Sequence, residues 1–61
     1  MKNYIQRLQE KIEIVNYTFR ENNLIIELED SSYNLDLQTK VISHVGGRYS
    51  ELIHNNLIKE L

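Results

Sequence analysis

Cysteine, proline, tryptophan and alanine are all absent from this sequence, and glycine occurs only twice. Without cysteine, a small core can be reinforced neither by a disulfide nor by a Cys-type metal site. The longest apolar run is Leu24–Ile26, which is far short of a membrane span. The N-terminus lacks the apolar stretch of a secretory signal peptide, so we expect a cytoplasmic protein.

A chain of 61 residues forms at most one domain, residues 1–61, with a small core. Burial of about 6,000 Å² on folding, about 60% of it apolar, stabilises the fold by roughly 90 kcal/mol. Ordering the chain costs about the same, near 1.5 kcal/mol per residue. Because these two quantities nearly cancel, we expect a marginal monomer that associates with a second copy of itself, as a homodimer, or with a larger partner.

The charges are distributed unevenly along the chain. Segment 21–38 holds five acidic residues and no lysine or arginine, whereas the rest holds seven basic and four acidic residues, so −5 and +3 sum to the net charge of −2. A solubilising surface ordinarily mixes both signs. Chance in a short chain is one explanation, and an acidic patch that faces a basic partner is the other.

The N-terminal residues follow the spacing of a helix. Ile5, Leu8, Ile12 and Val15 recur at intervals of three or four residues and form one apolar seam. Glu10 and Glu13 lie near the C-terminal end of this seam, where negative charge opposes the helix dipole, so we expect that end to fray.

Apolar and polar residues then alternate over segments 15–20, 24–29 and 33–38, which predicts three strands of an antiparallel meander. Loops of two residues at Asn22-Asn23 and Ser31-Ser32 would bring the apolar side chains of all three strands to one sheet face. That face would carry Tyr17, Phe19, Ile26, Leu28, Leu35 and Leu37.

The same register predicts that two acidic residues meet on the opposite, polar face. It sets Glu27 directly across from Asp36, a like-charge pair that costs stability. Glu29 follows on the same face, so these three residues are the candidate partner-binding site.

Helical spacing returns near the C-terminus. Four apolar residues recur at intervals of four, namely Tyr49, Ile53, Leu57 and Leu61. Gly46-Gly47 precedes them and is costly inside a helix, so it predicts a break between this helix and a short helix in 39–45. A fourth strand at 40–45 is the alternative.

The predicted fold is therefore α+β: an N-terminal helix, a three-stranded antiparallel β-meander and a C-terminal helix, which Gly46-Gly47 would divide into two short helices. We expect a homodimer. Candidate dimer contacts are the open sheet edges at 15–20 and 33–38 and apolar residues of the C-terminal helix. On that helix they are Leu52, Ile53, Leu57, Ile58 and Leu61.

The sequence offers little for chemistry. His44 and His54 are the only histidines and lack the spacing of a zinc site, so packing or interface roles account for them better. No phosphate-binding or dinucleotide-binding glycine motif occurs. We predict no catalytic residue, no metal site and no cofactor, and hence not an enzyme.

The leading hypothesis is a small protein-binding module that inhibits or modulates a larger protein with a basic surface. The absence of alanine suits an AT-rich gene of the kind that phages and mobile elements carry, so inhibition of a host defence or DNA-processing system is the favoured setting. The alternative is a small dimeric DNA-binding regulator, whose basic residues Lys2, Arg7 and Lys11 would lie along the first helix. The acidic pI makes nucleic acid the less favoured partner, and we expect no membrane partner.

Overall fold

The computed structural model describes residues 2–61, without the side chain of Lys2, and confirms an α+β fold. Within this range the sheet has four antiparallel strands in the order β1-β2-β3-β4, so the expectation of three strands is wrong. The elements are α1 (Lys2–Gln9), β1 (Asn16–Arg20), β2 (Asn23–Glu27), β3 (Ser31–Asp36), β4 (Ile42–Gly47) and α2 (Glu51–Lys59).

The fourth strand contains the two glycines that predicted a helix break. Gly46 and Gly47 pair with Ser32 and Ser31 of β3, so the C-terminal region holds one helix and no short helix before it. Gly47 has a φ of +76°, and a Cβ atom there would lie 2.1 Å from the backbone oxygen of Asp30. Gly47 therefore permits a close approach of two chain segments, whereas a Cβ at Gly46 would meet no atom within 4 Å. Since β4 covers β3, segment 33–38 is no open edge.

The first hairpin turns one residue earlier than predicted. Arg20 pairs with Asn23, so the two-residue loop is Glu21-Asn22. Glu21 adopts the positive φ of 55° that such loops require and that Asn tolerates better. Asn23 instead belongs to β2, where its side-chain oxygen accepts a hydrogen bond from Asn34 Nδ2 at 2.9 Å.

The second hairpin departs further from the predicted register. Glu27 pairs with Ser32, and Asp36 pairs with Asn23, so the predicted Glu27–Asp36 pair does not form. Both registers differ from the predicted ones by an even number of residues, and the side-chain period of a strand is two. The apolar residues of all three predicted strands consequently remain on one face.

The core lies between that sheet face and the two helices. Leu8 of α1 and Leu57 of α2 are buried there with residues of the two central strands. The complete buried apolar set is Tyr4, Ile5, Leu8, Leu24, Ile26, Tyr33, Leu35 and Leu57. The first helix ends at Gln9, so the apolar seam continues only into a half-buried Ile12 and an exposed Val15.

Both ends of α2 are satisfied by side chains. The Ser50 hydroxyl accepts a hydrogen bond from the Ile53 N–H at 3.3 Å, as an N-cap does. At the other end, the Tyr4 hydroxyl donates to the Leu57 carbonyl at 2.7 Å. Neither helix in residues 2–61 has the length and apolar character needed to cross a membrane.

Candidate interaction surfaces

The three candidate partner-binding residues lie at opposite ends of the polar sheet face. Glu27 ends β2 and Glu29 follows it in the β2–β3 connection, and both are exposed. Asp36 ends β3, four residues along that strand from Ser32, which is the partner of Glu27. At about 3.3 Å per residue this separates them by roughly 13 Å along the strand. The structure therefore brings Glu27 and Glu29 close together and leaves Asp36 apart.

Asp36 has a local structural role. Its carboxylate accepts hydrogen bonds from the backbone N–H groups of Thr39 (3.1 Å) and Gln38 (2.9 Å), and these bonds lower the pKa of Asp36. The Asp36 carbonyl also accepts from the Lys40 N–H at 2.7 Å, and Lys40 has a φ of 65°. The side chain thus organises the turn that leads into β4, which the sequence pattern does not indicate.

The apolar residues of α2 do not form one outward stripe. Leu57 is 1% exposed and belongs to the core of its own chain, and Ile53 is half-buried. Leu52 and Ile58 are exposed, but at 100° per residue they lie about 120° apart around the helix. The apolar surface that α2 offers to a second copy therefore consists of two separate margins, with Leu61 beyond the end of the helix.

A polar clasp joins the two helices. The Glu60 carboxylate accepts hydrogen bonds from Arg7 Nε (3.2 Å) and from Lys11 Nζ, and Arg7 Nη2 donates to the Glu60 carbonyl at 2.8 Å. The hydrogen bond from Lys11 is the main cause that lowers the pKa of Glu60. Together with the Tyr4–Leu57 hydrogen bond, these contacts fix α1 against the last turn of α2. The charge of Glu60 also offsets part of the basic surface that nucleic-acid binding would use.

Four rings meet where β4 approaches α2. The ring centroids of His44 and Tyr33 are 5.3 Å apart, those of His44 and Tyr49 5.5 Å, and those of Tyr49 and His54 5.7 Å. The Tyr33 hydroxyl accepts a hydrogen bond from the Ser50 N–H at 3.0 Å. No three His, Asp or Glu residues in the described part of the chain are placed to hold a metal ion. The rings pack α2 against the sheet.

An open groove of about 190 Å³ runs between α1 and β1. Its walls are aliphatic, aromatic and amide side chains, and one of them, Tyr17, carries a titratable phenol. They are Ile5, Gln6, Gln9, Tyr17 and Phe19. The alternation of residues 15–20 predicts the side of the sheet on which Tyr17 and Phe19 lie, but it does not reveal their exposure. The sequence feature that points to it is the pair Glu10 and Glu13, which oppose the helix dipole just beyond Gln9, where α1 ends.

Comparison with known protein families, curated proteins and solved structures found no match to this chain.

Proposed function

We propose that this chain is a small non-enzymatic protein-binding module that inhibits or modulates a larger protein. One observation carries the proposal. Within residues 2–61, eight large apolar side chains are buried and nine are exposed. Exposed apolar side chains that adjoin one another, as Tyr17 and Phe19 do, are typical of surfaces that contact another protein. The groove beside β1 supports a binding role, because apolar and amide side chains make up most of its walls.

The partner-binding surface is the acidic end of the polar sheet face. Glu27 and Glu29 lie there with Asp30, and the backbone N–H of Arg48 donates to the Asp30 carbonyl at 2.9 Å. Complementary charge favours a basic partner surface and accelerates its encounter. Such a basic surface is found in the groove with which an enzyme of host defence or DNA processing binds nucleic acid.

Charge reversal at this end, with a matched control, tests the proposal. The double variant Glu27→Lys with Glu29→Lys should lose the partner that the wild-type chain captures from the native host. Glu10→Lys with Glu13→Lys changes the net charge by the same amount on exposed residues elsewhere and should retain that partner. Circular dichroism checks that both variants fold. Capture by all three proteins, or by none, contradicts the assignment of this surface.

The DNA-binding alternative depends on a basic series along α1. Arg7 and Lys11 of that series both contact Glu60, and the Lys2 side chain lies outside the described residues. This alternative therefore gains no support from the packing of α1. Mobility shifts of random duplex DNA that weaken steeply between low and moderate salt would favour it over the protein-binding proposal.

A further inference from the structure

The β1 edge of the sheet is open to another strand. Within the described residues, β1 pairs with β2 on one side only, and all five of its residues are exposed. It contains no proline, the residue that most directly prevents strand addition. The opposite edge, β4, has an irregular register against Ser32 and Tyr33, and such bulges twist an edge away from a further strand. β1 is thus the more available of the two edges.

Apolar side chains accompany this open edge on the core side of the sheet. Val15, Tyr17 and Phe19 are 64%, 42% and 46% exposed. The rings of Tyr17 and Phe19 lie edge to face with centroids 6.1 Å apart and form one wall of the groove beside α1. A strand added to β1 with apolar residues on the same side would extend the core across the edge.

The sequence of β1 is complementary to itself. In an antiparallel pairing centred on Thr18, Tyr17 lies opposite Phe19 of the second copy, and Asn16 lies opposite Arg20. Aromatic pairs and Thr–Thr pairs both stabilise neighbouring strands, and no like charges meet. A two-fold axis perpendicular to the sheet also keeps the apolar faces of both copies on one side, as continuity of the core demands.

The backbone geometry fits the same register. Arg20 and Asn23 close a two-residue turn and therefore form a hydrogen-bonded pair. Hydrogen-bonded and non-hydrogen-bonded positions alternate along an antiparallel pair, so the N–H and C=O groups of Tyr17 and Phe19 point away from β2. In the register centred on Thr18, Tyr17 of one copy lies opposite Phe19 of the other. Their unpaired N–H and C=O groups can therefore form the hydrogen bonds between the two copies.

Charge on the polar face also favours this pairing. Arg20 is the only basic residue among the strand positions of that face, and it stands at the open edge. In the pairing centred on Thr18, Arg20 lies opposite Asn16 of the second copy, and Asn16 pairs with Glu27. Arg20 is therefore two strand spacings, about 10 Å, from Glu27 of the second copy. We propose that two copies of this chain associate through β1 in this register and form a continuous eight-stranded sheet.

Substitution at Asn16 separates this association from folding. Asn16 pairs with Glu27 in its own chain and would pair with Arg20 of the second copy. Asn16→Lys should therefore support the fold and weaken the dimer, by roughly tenfold because the Lys–Arg contact occurs twice. Asn16→Glu should destabilise the fold, because it faces Glu27, and strengthen the dimer, because it faces Arg20 of the second copy. Sedimentation equilibrium over roughly 1 µM to 1 mM, the range of small interfaces, measures association, and urea unfolding measures stability.

Mixing two variants tests whether the occupant is a second copy. Thr18→Lys and Thr18→Glu each place like charges opposite one another, so each should dimerise less well than the wild-type chain. Their mixture should form a heterodimer roughly tenfold more stable than either homodimer. Thr18 is exposed on the polar face, so neither substitution disturbs the core.

The α2 surface supplies the control for the interface. Leu52→Lys with Ile58→Lys should leave the association constant unchanged, because neither residue is near β1. A chain that stays monomeric up to 1 mM overturns the proposal. The proposal is also overturned if the α2 variant abolishes the dimer. It is overturned as well if the Asn16 and Thr18 variants leave the association constant unaltered. This inference does not depend on the acidic surface, since a dimer can form whether or not Glu27 and Glu29 bind a partner.

Discussion

The two adjacent glycines of β4 should differ sharply in their tolerance of a side chain. Gly47 has a φ of +76°, and a Cβ atom added there would lie 2.1 Å from the Asp30 backbone oxygen and 2.6 Å from the Ser31 Cα. Both obstacles are backbone atoms, one in the β2–β3 connection and one in the first residue of β3, and they cannot rotate away as a side chain can. At Gly46 no atom lies within 4 Å of the added Cβ. The two substitutions therefore add the same methyl group, but only the one at Gly47 places it in conflict with the backbone.

The expected loss for Gly47→Ala has two parts. An alanine in the left-handed region costs about 1 kcal/mol or more relative to glycine. Relief of the overlap must also separate β4 from the β2–β3 connection, which strains the pairing and breaks the Arg48 N–H bond to the Asp30 carbonyl, at about 1–3 kcal/mol together. The total is about 2–4 kcal/mol. A chain of this size has about 3–9 kcal/mol of stability in all.

Urea unfolding followed by circular dichroism measures both variants against the wild-type chain. With a slope near 1 kcal/mol per molar urea for a small domain, Gly47→Ala should lower the midpoint by roughly 2–4 M or prevent folding. Gly46→Ala should stay within about 0.5 kcal/mol of the wild type. Equal effects at the two positions, or a Gly47→Ala variant as stable as the wild type, would refute the close approach of β4 to Asp30.

Further predictions concern the helix clasp and the two strained turns. Tyr4→Phe removes the donor to the Leu57 carbonyl and should lower the free energy of unfolding by about 1–2 kcal/mol in urea titrations; an unchanged midpoint would contradict this. Burial raises the pKa of Tyr4 to about 12, so the stabilisation by its neutral hydroxyl should be complete below pH 10 and be lost from pH 10 through 12, and Tyr4→Phe should lack this loss. A lysine hydrogen bond lowers the pKa of Glu60, so its contribution should be present above the ordinary value of 4.5 and be lost as the pH falls further; Glu60→Gln should show a smaller acid dependence in thermal scans. Lys40→Gly and Glu21→Gly should each raise the free energy of unfolding by up to about 1 kcal/mol, because φ values of 65° and 55° cost glycine little; a lower Tm would argue against strain at either turn.

The sequence pattern predicts which side of each strand is buried more securely than it predicts the strand's partner. Alternation with period two places Tyr17, Ile26 and Leu35 on the core side, and the structure confirms this. The predicted pairs are nevertheless wrong, because a shift of two or four residues preserves the faces and changes every neighbour. Only turn chemistry could have decided the register. Here the positive φ falls on Glu21, where the sequence offers Asn22 as the better candidate.

Two further differences arise from tertiary contacts that no local pattern carries. Gly46-Gly47 predicts a helix break by propensity, but both residues are in a strand. Only glycine fits at position 47 of that strand, because a Cβ atom there would overlap the backbone oxygen of Asp30. Asp36 counts toward an acidic patch by charge, but its carboxylate binds the N–H groups of the next turn. In both cases the residue type matches more than one structural role, and only the packed chain selects between them.

The first helix lies beside β1 and leaves Tyr17 and Phe19 partly exposed. Tyr4 and Arg7 bind the carbonyl groups of Leu57 and Glu60 at the C-terminal end of α2, and α1 ends at Gln9. The apolar seam through Val15 predicts a longer helix, but beyond Gln9 only Ile12 of that seam is half-buried and Val15 is exposed. In the association that we propose, the exposed rings of Tyr17 and Phe19 are the side chains that meet across the new interface, so the surface that the monomer core leaves uncovered is the one that a second copy would bury.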